Sequence, residues 1–421
     1  VFSAGTNAPA VGTAIGKHVL SLSVLFEEGL FNGIELPCNV FAQPTLNAFM
    51  GLTKPIWTGV RNRIISLLSV AADGDSRLKN NMDLRARALI AMSDVKMHLP
   101  ATIGDYTDYY CSREHATNCG VMFRGKENAL QPNWLHLPVG YHGRSSSVVV
   151  TDTLVVRPWG QVHVDKKDAK KGSSFSQCQK LDFELEIAFF VGGADNAMGT
   201  PIKMHEAEDR IFGIVILNDW SARDIQAWEY VPLGPFTAKN FCSSISPWVV
   251  TLDALEPFRC STSAGAVQDA PVPLPYLVDP RYHESTYDVS LQVSVVPRGM
   301  SAEKTSVLST SNIKYLYWNI KQQLVHHSIT GCPMRAGDLL GSGTISGPEN
   351  HMMGSLMEMS WNGTQDITLP VEKEGGAEEV KRTFLQDGDS VVMRGFGQGS
   401  GFRVGFGEVA GTINPAVENP F

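Results

Sequence analysis

The chain has 421 residues, 43% hydrophobic and 19% charged, with a formal net charge of −8, a composition typical of a globular protein of about two to three domains. Its basic residues are scattered, which argues against nucleic acid or an anionic membrane as a partner. No apolar run approaches the roughly 20 residues of a membrane helix. The seven cysteines include no Cys-x-x-Cys pair and read as reduced thiols, so the cytoplasm is the expected compartment.

The stretch Val1 to Thr6 lacks the basic region and apolar run of a secretory leader, and Val1 in place of Met points to a natural start upstream. Val11 to Phe26 reads as short strands around a Gly16-Lys17 turn. Thr58 to about Met92 reads as helical, with Leu67, Leu68, Val70 and Ala71 among charged residues, and Asp73-Gly74-Asp75 divides it into two helices. Pro100 closes this part. Residues 1–100 are therefore expected to form a small mixed domain, and 101–421 a larger domain of strands and turns.

The larger part opens with Asp105-Tyr106-Thr107-Asp108-Tyr109-Tyr110-Cys111-Ser112-Arg113-Glu114-His115. A histidine is the natural proton acceptor near neutral pH, which singles out His115. The charged piece Lys166 to Lys171 reads as a solvated loop. Leu181 to Phe190 then alternates apolar and acidic residues, so as a strand it turns Glu184 and Glu186 to one face. Taken alone, that pattern describes a half-exposed antiparallel strand, acidic side out. Its neighbour changes the reading. Ile211 to Leu217 is apolar almost throughout and delivers Asn218-Asp219 at its end, and three carboxylates at the mouth of a buried strand repel one another unless a hard divalent cation sits between them. Asp108 is a fourth candidate.

After Asp219 a helix is expected, capped by Ser221 with Asp224 three residues on. Arg223, Gln226 and Tyr230 would share one of its faces. Arg335-Ala336-Gly337-Asp338 and Gln386-Asp387-Gly388-Asp389 look like two copies of a turn that feeds a strand. Gly341-Ser342-Gly343-Thr344 precedes no helix and lacks a P-loop lysine, and Gly395 to Gly401 fits a hairpin, so neither reads as a nucleotide site. Thr344 offers a hydroxyl on a turn. Glu358, an acid among apolar residues in an expected strand, is the candidate to orient His115. Glu372 to Arg382 reads as a surface hairpin.

Several of these segments carry a resemblance. Asp108-Tyr109-Tyr110, Arg113-Glu114-His115-Ala116-Thr117-Asn118, Phe123-Arg124-Gly125-Lys126-Glu127-Asn128, Asp182-Phe183-Glu184-Leu185-Glu186 and Asn218-Asp219-Trp220-Ser221-Ala222-Arg223-Asp224 are similar to the fumarylacetoacetase family, as are Trp228 to Phe236 and Ser342 to Gly347. The resemblance implies a mostly β fold with some α: a small SH3-like N-terminal barrel and a large C-terminal mixed β-roll, assembled as a homodimer. It implies hydrolysis of the carbon–carbon bond of 4-fumarylacetoacetate to fumarate and acetoacetate, the last step of tyrosine catabolism. By matching positions, Asp108, Glu184, Glu186 and Asp219 become ligands of calcium or magnesium. His115 becomes the base that activates water, with Glu358 orienting it, while Arg223, Gln226 and Lys239 stabilise the oxyanion. Tyr110, Arg124, Tyr141, Gln226, Tyr230 and Thr344 match positions that meet a small diketo acid.

Some family members hold a second, magnesium-type ion through Asp219, Lys239 and a Gly-Thr pair, which here reads Cys242-Ser243. Ser243 keeps a hydroxyl, whereas Cys242 is bulkier than Gly. Shorter metal enzymes of the same superfamily, acylpyruvate hydrolases and 2-oxo acid decarboxylases, share the Glu-x-Glu more than the His115 segment. A calcium-stabilised binding protein would need no base. The N-terminal part has no chemistry legible in its residues, and packing or dimer support is its expected role.

Overall fold

Period-two burial in one strand organises the molecule. In the computed structural model, which describes residues 1–70, 74–262, 267–371 and 379–419, every residue of the strand Leu185–Val191 is buried. Its side chains separate by parity. Leu185, Ile187, Phe189 and Val191 enter one hydrophobic core, while Ala188 and Phe190 enter a second. The antiparallel neighbour Ile211–Asp219 divides the same way, with Ile214 and Ile216 in the first core and Val215 and Leu217 in the second. The half-exposed alternative for the Glu-x-Glu strand is thereby overturned.

These two strands are central to an eight-stranded mixed sheet. Its path runs Gly140–His142, Tyr106–Tyr109, Leu339–Gly341, Leu185–Val191, Ile211–Asp219, Ser243–Ile245 and Val148–Val150, with Val250–Thr251 beside the start of Ile211–Asp219. A five-stranded sheet, Ser309–Asn312, Ser290–Val296, Ser390–Gln398, Arg403–Asn414 and Val155–Val156, covers the first core. The two sheets touch closely where glycine leaves room. A Cβ on Gly395 would lie 2.8 Å from Ile216, and one on Gly411 2.6 Å from Trp220.

The first hundred residues close the second core. A three-stranded sheet (Gly12–Ile15, His18–Ser21, Leu89–Ala91), a strand pair (Phe2–Ala4 with Val95–Met97) and several helices bring Phe49 and Trp57 edge-on to Phe212, at 5.7 and 5.1 Å between ring centroids. The Gly16-Lys17 turn is where the sequence places it, but Leu22–Glu27 is a helix rather than more strand, with Leu22 and Leu25 buried. The helical stretch begins earlier, at Lys54, with Pro55 in its first turn, where a missing N–H costs nothing. Among its described residues it contains three helices instead of two: Lys54–Leu68, Ser76–Lys79 and Met82–Ala88, the last two capped by Asp75 and Asn81. Leu89–Ala91 is a strand. Ala71 and Asp73 lie outside the described residues.

Two further expectations need correction. The helix after Asp219 is Arg223–Glu229 and Ser221 does not cap it. Ser221 pairs in a short strand with Asp182, and its hydroxyl donates to the Asp219 carbonyl. Asp224 accepts from the Gln179 N–H at 2.7 Å instead of closing a capping box. Glu358 sits in a single helical turn, Leu356–Met359, whose first N–H groups meet the Asp182 carboxylate and whose cap is Ser355. The two Asp turns are alike: Asp338 accepts from Arg335 N–H and Asp389 from Gln386 N–H, each just before a strand. Gly399 to Phe402 closes a hairpin as expected. Residues 372–378 of the expected surface hairpin lie outside the described residues. No helix among the described residues is long and apolar enough to cross a membrane.

Phe190 is fully buried on the face shared with the N-terminal part. We expect Phe190→Ala to lower unfolding stability by about 3–5 kcal/mol. Urea titration followed by fluorescence would show this as a lower midpoint at similar slope.

Candidate active site

The strand register that buries Phe190 also gathers acids. Asp108, Gly341, Glu186 and Leu217 occupy one face of neighbouring strands, because Gly341 pairs with Asp108 on one side and Ala188 on the other, and Glu186 pairs with Leu217. Asp219, two residues past Leu217, shares that face. Gly341 leaves the room: a Cβ there would stand 3.1 Å from Asp108 Oδ1 and 3.2 Å from Glu186 Oε2. Glu184 enters from the break between Leu181–Asp182 and Leu185–Val191, its N–H donating to Asn218 Oδ1 at 3.2 Å. The four carboxylates, all buried, place ligand oxygens within 4.8 Å of one another.

Two cations enter this group. Arg223 Nη1 donates to Glu184 Oε1 at 2.7 Å, and its Nε to Asp182 at 2.9 Å. Lys239 Nζ donates to Glu184 Oε2 and to Asp219 Oδ2, the latter at 2.8 Å, and Ser243 Oγ to Asp219 Oδ1 at 2.7 Å. These partners satisfy one side of the cluster only. Asp108 Oδ1 and Glu186 Oε1 are buried with no hydrogen-bond partner. Burial and the Asp219 charge push the Asp108 carboxyl up to about 8, and burial with the Asp108 charge takes Glu186 well above its ordinary range. Glu184 is also buried, yet Lys239 and Arg223 hold it below the usual carboxylate range. Unpartnered hard oxygens and an excess of negative charge are what a divalent cation satisfies, so these residues fit a metal ion.

A second group lies beside the first. His115 is on the helix Arg113–Arg124, capped by Ser112, and its Nδ1 meets Glu358 Oε2 at 2.7 Å. Asn118, Ser346 and Ser355 also donate to that carboxylate, each at 2.9 Å. Burial opposes the imidazolium, but Cys119 Sγ, 3.6 Å from Nε2, and the Glu358 charge favour it, and the net shift is upward. The Tyr110 ring stands edge-on to His115 at 5.3 Å. Asp182 joins the two groups, accepting from Arg223 and from the Leu356 and Met357 N–H groups that open the Glu358 turn.

The remaining expected residues fall around this centre. Tyr141 Oη donates to Asp219 at 3.4 Å, Gln226 Oε1 accepts from Arg223 at 3.4 Å, and the buried Thr344 hydroxyl has no partner. Tyr110 and Arg124 line a cavity of about 230 Å³ with Trp134 and Val139. Arg124 donates to the Asn128 and Ala129 carbonyls. Tyr230, at the C-terminal end of its helix, is 48% exposed. Cys242 is buried with its sulfur 3.9 Å from Ser244 Oγ. Sequence reasoning missed Asp182, Ser346, Ser355, Asn118 and Gly341. Only Ser355, three residues before Glu358, left a local signal, that of a helix cap.

The raised Asp108 carboxyl has a consequence for stability. A carboxyl whose folded value lies above its unfolded value of 3.8 favours the folded state at low pH, and that contribution is lost as pH rises toward about 8. We expect chelated protein to melt at lower temperature at about pH 8 than at about pH 5.5, and added divalent cation to remove most of the difference. A flat pH profile in scanning calorimetry of the chelated protein would contradict this.

Residues 105–414 match the fumarylacetoacetate (FAA) hydrolase C-terminal family and residues 1–100 the fumarylacetoacetase N-terminal family. The chain is 51% identical over 420 residues to the fumarylacetoacetase of Homo sapiens, covering 99% of this chain and 94% of that one. It is 51% identical over 406 residues to that of Dictyostelium discoideum (96% and 91% covered) and 47% identical over 421 residues to that of Arabidopsis thaliana (99% and 94%). A solved structure from Mycobacterium smegmatis, provisionally assigned as HpcE, superimposes with a TM-score of 0.53 at 17% identity, covering 97% of each chain, which speaks to fold alone. Since both family patterns and identities near one half extend over almost the whole chain, it belongs to the fumarylacetoacetase family.

Proposed function

We propose that this chain hydrolyses 4-fumarylacetoacetate to fumarate and acetoacetate, the last step of tyrosine catabolism, with the His115–Glu358 pair as its proton acceptor. The observation that carries the reading is that pair, bonded at 2.7 Å and tied through Asp182 to a cluster of four carboxylates. Fumarylacetoacetases about half identical over nearly full length support the substrate.

Asp108, Glu184, Glu186 and Asp219 are the residues to hold the ion, calcium or magnesium by their all-oxygen donor set. Lys239 and Ser243, both bonded to Asp219, are the side chains a second, magnesium-type ion would meet. When bound, the ion supplies Lewis-acid polarisation of the carbonyl under attack. His115 takes a proton from water, and Glu358 fixes its tautomer and raises its basicity. The hydroxide adds to the ketone carbonyl of the fumaryl group itself, which becomes the new carboxylate of fumarate. Lys239, Arg223 and Gln226 stabilise the alkoxide, a class of contact worth about 10²–10³ in rate per donor. Collapse of the alkoxide breaks the carbon–carbon bond, and the imidazolium returns its proton to the leaving carbon. Arg124 and Tyr110, on the wall of the cavity beside His115, receive a carboxylate end of the diketo acid, and Tyr141, Tyr230 and Thr344 complete the contacts. Assembly as a homodimer accompanies this reading. A reducing cytoplasm suits seven cysteines that form no disulfide.

Loss of the diketone chromophore should follow addition of purified protein to fumarylacetoacetate, cease with chelator, and return with calcium or magnesium. A folded, metal-loaded sample without turnover would sink the substrate assignment. We expect His115→Ala to abolish turnover while metal content stays unchanged; loss of the metal would make His115 structural. Because the active form is the neutral imidazole and its value is raised, kcat/KM should climb with pH along a limb above the ordinary imidazole range. Glu358→Gln should move that limb down by about one unit or more, whereas an unmoved limb would remove Glu358 from the role.

A further inference from the structure

Glu229 ends the helix Arg223–Glu229, and among the described residues its carboxylate bonds to Phe236, Thr237 and Ala238 rather than to the side chains assigned above. Its carboxylate is nevertheless fully engaged. Oε1 accepts from the Phe236 N–H at 2.7 Å and the Ala238 N–H at 2.8 Å, and Oε2 from the Thr237 N–H at 3.0 Å and the Thr237 hydroxyl at 2.5 Å. Three consecutive backbone N–H groups aimed at one carboxylate make a fixed anion-binding concavity. Bonds to an ionised acceptor are roughly twice as strong as neutral ones.

The residue after this clamp is Lys239. Ala238 is held from its other side as well, its carbonyl accepting from the Ala222 N–H at 3.0 Å. Between Glu229 and Phe236 the chain runs through solvent, with Val231 67% and Leu233 94% exposed, so packing of that loop does not place residue 239. Lys239 itself is buried, with its ammonium between Glu184 and Asp219. The helix thus sets one cation of the site directly, through Arg223 at its first residue, and the other through Glu229 at its last.

We propose that Glu229 is a positioning residue for Lys239: by clamping the backbone of residues 236–238 it fixes where the Lys239 ammonium stands. The proposal rests on the reading in which Lys239 stabilises the alkoxide. An ammonium on a four-carbon stem misplaced by about 1 Å can cost up to about 100-fold in rate.

The test is a mutant cycle in the metal-loaded enzyme with fumarylacetoacetate. Glu229→Ala should lower kcat by about 10- to 100-fold with KM within about threefold. Glu229→Gln, which keeps one acceptor oxygen, should fall between it and wild type, and it carries the test alone if the alanine variant does not fold. On a Lys239→Ala background either substitution should cost no further kcat, because the group being positioned is gone. Losses that multiply on that background, or wild-type kcat in both Glu229 variants beside an impaired Lys239→Ala, overturn the positioning role and leave the function standing. Wild-type kcat in Lys239→Ala would instead overturn the role given to Lys239, and this proposal with it.

Discussion

Four carboxylates gathered within 4.8 Å in a buried site are a conflict that the rest of the molecule resolves. Each would prefer water, and together they repel one another. Their convergence is not local. It follows from the pleat of three strands, Tyr106–Tyr109, Leu185–Val191 and Ile211–Asp219, whose inward residues on that face are apolar until the strand ends, where they become Asp108, Glu186 and Asp219. The N-terminal part packs on that same face further along. Its aromatic contacts with Phe212 and its cover over Phe190 anchor the strands from which the acids project. That gives the first hundred residues a physical task in the packing of the strands that carry the site.

Asp182 makes the two reactive groups one structure. A single buried carboxylate receives the Arg223 guanidinium, which holds Glu184, and the first two N–H groups of the turn carrying Glu358, which holds His115. Movement of either group would leave a buried charge poorly paired, which is strongly unfavourable. The His115–Glu358 pair and the acid cluster are therefore held by bonds to one shared carboxylate, a placement that suits the proximity the proposed mechanism needs.

Much of the site is legible in the sequence because strand parity is written in the residues. The pleat that carries Glu186 and the apolar run ending at Asp219 are enough to bring two of the acids together, whereas Glu184 lies in the break before the strand Leu185–Val191 and reaches the cluster from there. His115 and Glu358 pair on chemical grounds alone, and they bond at 2.7 Å. Helix ends and sheet edges are where local pattern misleads. Ser221 has the composition of a cap, but a strand pairing with Asp182 claims it. Leu89–Ala91 continues a helical pattern, but His18–Ser21 offers a sheet edge, and tertiary pairing overrides propensity. The function of Asp182 is hidden for another reason: its partners at Leu356 and Met357 lie 174 and 175 residues away. No periodicity reports such a contact.

The distribution of cations around the acids follows from the same conflict. Lys239 and Arg223 both pair with Glu184, and Lys239 also with Asp219, leaving Asp108 and Glu186 with unpartnered oxygens on the opposite side. A symmetric arrangement of the two cations would neutralise the cluster more evenly and compete with a metal for every ligand. Crowding them on Glu184 leaves two acids free for an ion, and in the proposed mechanism it also sets positive charge beside the alkoxide. That asymmetry requires the Lys239 ammonium to be held against Glu184 rather than allowed to settle among Asp108 and Glu186. A flexible four-carbon stem does not supply such restraint by itself. It has to come from the backbone that carries it, where three N–H groups converge on Glu229 beside the bonds of Ala222 N–H to the Ala238 carbonyl and of Lys239 N–H to the Phe236 carbonyl.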